Sequence, residues 1–91
     1  MNNLANILKS RGEHAEAEQL LQRAVSLRPD FAAAWMNLGI VQAALSKPAD
    51  AEVSYVTALR HRRKYPDCYY NLGNLVSGLK TRWYMYAFTQ F

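Results

Sequence analysis

The sequence predicts an all-α protein, a solenoid of stacked helix-turn-helix units. Three observations predict it: an internal period of 34 residues, apolar side chains at helical spacing, and turn residues between the apolar runs. The period is centred on Ala34-Trp35-Met36-Asn37-Leu38-Gly39. One period on, Leu38-Gly39 becomes Leu72-Gly73; one period back it becomes Leu4-Ala5, with alanine in the small position. Trp35 answers to Tyr69, and Asn37 to Asn71 ahead and Asn3 behind. Self-similarity at this length marks units that cannot bury their apolar faces alone and stack on their neighbours to do so.

Composition agrees. The chain has 91 residues, enough for one small domain with a modest core. Hydrophobic residues make up 51%, too many for a chain disordered by composition. Three prolines and four glycines leave long stretches free to be helical. No apolar run approaches the roughly 20 residues that span a bilayer, and Met1-Asn2-Asn3 does not open a signal peptide. Taken alone the chain reads as soluble and cytosolic, or as a piece of something larger. A single cysteine, Cys68, excludes an internal disulfide and a CxxC site, and reads as a small half-buried packing residue. The net charge of +4 is uneven, with Arg60, Arg62, Arg63 and Lys64 clustered in the second half.

The elements follow in order. Leu4, Ile7 and Leu8 share one face of a helix over 2–10, and Gly12 is placed to take the left-handed conformation that ends it. A second helix runs from about Glu13 to Leu27, with Ala17, Leu20, Leu21, Ala24 and Leu27 as its buried stripe. Its acidic start and basic end suit the helix dipole. Pro29-Asp30 breaks it and caps a third helix, about Phe31 to Leu45. Ser46-Lys47-Pro48 makes the next turn, with Pro48 at the first helical position. A fourth helix extends from Pro48 to about Lys64 with Ala51, Tyr55, Ala58 and Leu59 inward; it is longer than its counterpart because Pro66 arrives three residues late. A fifth starts after Pro66-Asp67 and carries Tyr69, Leu72, Gly73, Leu75 and Val76.

This pattern resembles the tetratricopeptide repeat: W-x2-L-G-x2-Y, then A-x3-F, then P. Trp35, Leu38, Gly39, Ala51, Tyr55 and Ala58 hold the matching places of the central unit. Ala17, Leu21, Ala24 and Pro29 match the back of the first, and Tyr69, Leu72 and Gly73 the front of the third. Gln42 and Val76 stand where an aromatic is expected, which weakens packing locally. Gly39 and Gly73 sit where paired helices cross, and a larger side chain there overpacks by roughly 1–3 kcal/mol. The reading is a solenoid of about two and a half repeats, truncated at both ends. Residues 1–30 form a partial first repeat, 31–65 a complete one, and 66–79 the first helix of a third. Residues 80–91 form a divergent aromatic tail, in which Met85 and Thr89 misfit the slots of a sixth helix.

The residues exclude some functions and suggest one. His14 and His61 are isolated, and no cysteine, serine or carboxylate is set for a triad or a metal site, so the chain as it stands reads as non-enzymatic, without cofactor. Arg60-His61-Arg62-Arg63-Lys64 is a short basic run at a helix C-terminus with no interleaved stacking aromatics, so nucleic acid is not expected. The candidate is the asparagine column Asn3, Asn37 and Asn71, joined by Asn6 and Asn74 on the same helix side. Met36, Ile40 and Tyr70 are the apolar anchors beside it. An amide donates and accepts, so such a column pairs with the backbone of an extended peptide without reading its side chains. The column resembles the asparagine ladder of the O-linked N-acetylglucosamine transferase repeats. The alternative is that asparagine is simply a common solvent-facing residue at this position.

A narrower resemblance covers most of residues 2–75, including Ser10-Arg11-Gly12-Glu13 and the run from His61 through Pro66-Asp67-Cys68 to Leu75. It is to the repeat region of the transmembrane and tetratricopeptide-repeat-containing O-mannosyltransferases. The resemblance implies lumenal repeats of an endoplasmic-reticulum membrane protein, whose chemistry, transfer of mannose from dolichyl phosphate mannose to cadherins, belongs to a membrane domain. Implied partners are therefore cadherin-like acceptors or other proteins of the reticulum. No catalytic residue carries over. The other readings are a free cytosolic adaptor, or a member of the mannosyltransferase family that is inert in this fragment.

Overall fold

A computed structural model describes residues 3–77, with side chains from Arg11 onward. Four helices follow one another: α1 (Asn3–Leu27), α2 (Ala32–Ala44), α3 (Pro48–His61) and α4, residues 66–77. Among the described residues there is no strand. The all-α solenoid reading is borne out, and the tail from residue 80 lies outside the described residues.

The central hairpin is α2 against α3. Ser46 turns it in the left-handed region, φ 62°, and Pro48 opens α3 at the first helical position, where its missing N–H has no helical partner to lose. The crossing is close enough that a Cβ on Gly39 would stand 2.6 Å from Cδ1 and Cε1 of Tyr55. Ala51 and Ala58, each 0% exposed, let α3 approach as the small residues of the pattern require.

Two apolar clusters share Trp35. One joins α2, α3 and α4 through Ala32, Ala51, Tyr55, Ala58, Tyr65 and Cys68, with Met36, Leu72 and Leu75 packed against it. The other joins α1 to α2 through Val25, Ala34 and Leu38, with Leu21 and Ala24 alongside. The indole Nε1–H of Trp35 donates to the Pro29 carbonyl at 2.7 Å, anchoring the loop before α2.

Four expectations need correction. Residues 3–27 form one helix rather than two, and Gly12 has no positive φ. The reason stands one period on: the residue after the Ser46 turn is Lys47 and then Pro48, which cannot continue a helix, whereas Gly12 is followed by Glu13 and His14, which can. Second, α3 stops at His61 instead of Lys64. The three extra residues before Pro66 extend the linker, and they use it to bury Tyr65 under the Arg62 guanidinium, 4.3 Å from the ring centre. Third, Phe31 rather than Asp30 precedes α2 and makes no side-chain cap. Fourth, Leu20 and Leu27 are exposed, while Val25 and Glu18 of the same helix are buried.

Candidate functional site

The asparagine column depends on which flanks of α2 and α4 the packing leaves open. The α2 helix turns Ala34, Leu38 and Gly39 inward, so Asn37, one position off that stripe, is left exposed. Ile40, 41% exposed, follows it on the next turn. On α4, Cys68 and Leu72 face the core, and Tyr70 and Asn74 are exposed, with Asn71 half-buried between them. Met36 is less free than its role as an anchor requires, because it packs against the α2–α3–α4 cluster. The side chains of Asn3 and Asn6 lie outside the described residues.

Among the described residues the amides of Asn37, Asn71 and Asn74 make no side-chain hydrogen bond within the chain. Each therefore keeps its donor and acceptor for solvent or a ligand. A recess between α1, α2 and α3 contains none of these residues; Val25, Ser26, Trp35, Gln42, Val53 and Ser54 are among its lining.

Three polar contacts escaped the sequence reading. Gln42, expected to weaken packing, is buried, and its Oε1 accepts from the Ser54 hydroxyl at 2.6 Å. The aromatic slot is thus filled by a polar pair, which a single-position motif cannot show. Glu18 is buried on α1, and its carboxylate accepts from Lys47 Nζ at 2.8 and 3.1 Å, tying α1 to the turn before α3. The Cys68 thiol donates to the Tyr55 carbonyl at 3.4 Å. Burial pushes the Cys68 thiol up, and burial followed by the neighbouring Cys68 pushes the Tyr55 phenol up. Such a thiol is a packing group held neutral rather than a nucleophile.

Among the described residues no group of three or more His, Cys, Asp and Glu side chains is placed to hold a metal, and no helix is long and apolar enough to cross a membrane. All of Arg60 to Lys64 are exposed.

The tetratricopeptide repeat model matches residues 2–67. The chain belongs to the tetratricopeptide repeat family. Over 79 residues, 86% of its length, it is 37% identical to mouse protein O-mannosyl-transferase TMTC3. To the human protein of the same name it is 38% identical over 71 residues, 77% of the chain. Those alignments span only 9% and 8% of the two relatives, so the similarity concerns a short segment of each.

Proposed function

We propose that this tetratricopeptide module binds protein, taking an extended segment along the open flank of α2 and α4. The observation that carries the reading is the pair of unpartnered amides, Asn37 and Asn71, on helices joined through one apolar cluster. Ile40 and Tyr70 supply apolar surface beside them, at 41% and 71% exposure. The division into repeats at 1–30, 31–65 and 66–79 belongs to the same proposal. Similarity to the two O-mannosyltransferases supports a setting in the lumenal repeats of such an enzyme in the reticulum, where the module engages acceptor or partner proteins. On this reading the module itself is not catalytic.

The amides alone bind weakly. At about 0.5–1.5 kcal/mol net per hydrogen bond, two or three of them reach only the millimolar range. The test is titration of unstructured cadherin-derived peptides into the labelled chain, followed by amide NMR. Shifts are expected at the side-chain amides of Asn37 and Asn71, with Asn37→Ala weakening binding about 2- to 10-fold and leaving helicity unchanged. Shifts confined to the α1–α3 recess, or an affinity untouched by Asn37→Ala, refute the groove. Mannosyl transfer from a lipid-linked donor by these 91 residues would refute the non-catalytic role.

A further inference from the structure

The central hairpin shows what a completed repeat buries, and the flanking helices show the same positions left open. On α3, Ser54 is 2% exposed; its counterpart one period back on α1, Leu20, is 63% exposed. Ala51, Tyr55 and Ala58 are buried, whereas Ala17, Leu21 and Ala24 are only half-buried. The back half of α1 is thus the second helix of a hairpin, with its partner face uncovered among the described residues. At the other end α4 is a first helix in the same state. Gly39 is buried against Tyr55, but a Cβ on Gly73 would meet nothing within 4 Å. Leu38 is 3% exposed and Leu72 half-buried; Trp35 is half-buried and Tyr69 is 54% exposed.

We infer that the two open faces fit each other, so that α4 of one copy completes the hairpin with α1 of a second copy. The register of the central hairpin supplies the pairs. Gly39 on Tyr55 becomes Gly73 on Leu21 of the partner copy, a glycine again opposite a large side chain. Gln42 with Ser54 becomes Val76 with Leu20, an apolar pair where the central repeat has a hydrogen-bonded one. Both members of this second pair change character together, so the pair stays matched in polarity. Because α1 runs straight through Gly12, its own residues 3–11 continue away from the face rather than folding over it. The contact joins two different surfaces, so it is heterologous, and each added copy leaves one free face of each kind. Stacking of this sort also lengthens the asparagine column, although it does not depend on the column binding anything.

The experiment is sedimentation equilibrium of the full chain and of two variants, each checked for helicity by circular dichroism. Leu20→Asp charges the α1 face at a side chain that is already exposed, and Gly73→Trp fills the crossing slot of α4 where there is open space. The wild-type mass is expected to rise with concentration beyond twice the 10.4 kDa of one chain. Each variant alone stays at one chain. Mixed in equal amounts they stop at two, because the intact α4 of Leu20→Asp meets the intact α1 of Gly73→Trp. A wild-type chain that stays at one copy overturns the inference. So do variants that associate as the wild type does, or a mixture that remains monomeric.

Discussion

The turn at Ser46 and the helix at Gly12 occupy the same place in successive repeats, yet one reverses the chain and the other carries it straight on. Glycine is the residue that enters the left-handed region without cost, and serine is not. Nevertheless it is Ser46 that sits at φ 62°, while among the described residues no glycine has a positive φ. What differs lies two residues on. Pro48 has no N–H to give to an α-helix spanning the turn, and its ring would clash with the carbonyl four residues earlier. His14, its counterpart, has no such objection. The lesson is that a glycine permits a turn and a proline enforces one. Ser46 takes the strained conformation because α2 and α3, once separated, bury Ala51, Tyr55 and Ala58 between them.

The contrast between the closed hairpin and the open α1 face can be broken most strongly at Tyr55. Truncation of this 3% exposed aromatic to alanine is expected to cost about 3–5 kcal/mol in urea denaturation, while Leu20→Ala, measured at dilution where the chain is a single copy, stays within about 0.5 kcal/mol. Equal effects at the two sites under that condition would mean that the α1 face is covered within the single chain. The next largest contrast is between two glycines. Gly39→Ala forces Tyr55 to move and is expected to destabilise by about 1–3 kcal/mol. Gly73→Ala meets open space and gains helix propensity, up to about 1 kcal/mol. A destabilising Gly73→Ala would show that something packs there.

The polar pair of the central repeat sharpens the comparison further. Ser54→Ala leaves the buried Gln42 carbonyl oxygen without its donor, for an expected loss of about 1–3 kcal/mol. Converting both residues, Gln42→Val with Ser54→Leu, copies the apolar pairing available at Val76 and Leu20 and is expected to recover most of that loss. No recovery would show that the site accepts only the hydrogen-bonded pair. The smallest effect is a pH dependence confined to this hairpin. Cys68 and Tyr55 are acids whose pKa values rise on folding from ordinary values of 9.0 and 10.0. The folded state therefore retains protons that the unfolded chain releases. Their stabilising contribution is complete below about pH 9 and is lost as pH climbs through and past about 10. Denaturation midpoints in urea, compared between neutral and alkaline buffer, should fall, and in Cys68→Ala the fall should start later. A flat profile would mean that neither group is buried as described.

Period, helical class and family were legible from the chain alone, because Trp35, Leu38, Gly39, Ala51, Tyr55 and Ala58 recur at fixed spacing and each is needed for a close helix crossing. The asparagines were legible as a periodic set, and the structure adds that Asn37 and Asn74 are exposed with free amides. Periodicity reports residue type position by position, and so it says nothing of pairs. Only the tertiary structure decided that Gln42 is satisfied by Ser54, that Glu18 holds Lys47, and that Tyr65 is drawn into the core by a linker three residues too long. Each depends on groups distant in sequence meeting at one depth. Tertiary packing likewise decided that Leu20 and Leu27, apolar and correctly spaced, stay exposed. An amphipathic stripe states which face of a helix is available for burial, and a second helix must arrive before that face is buried.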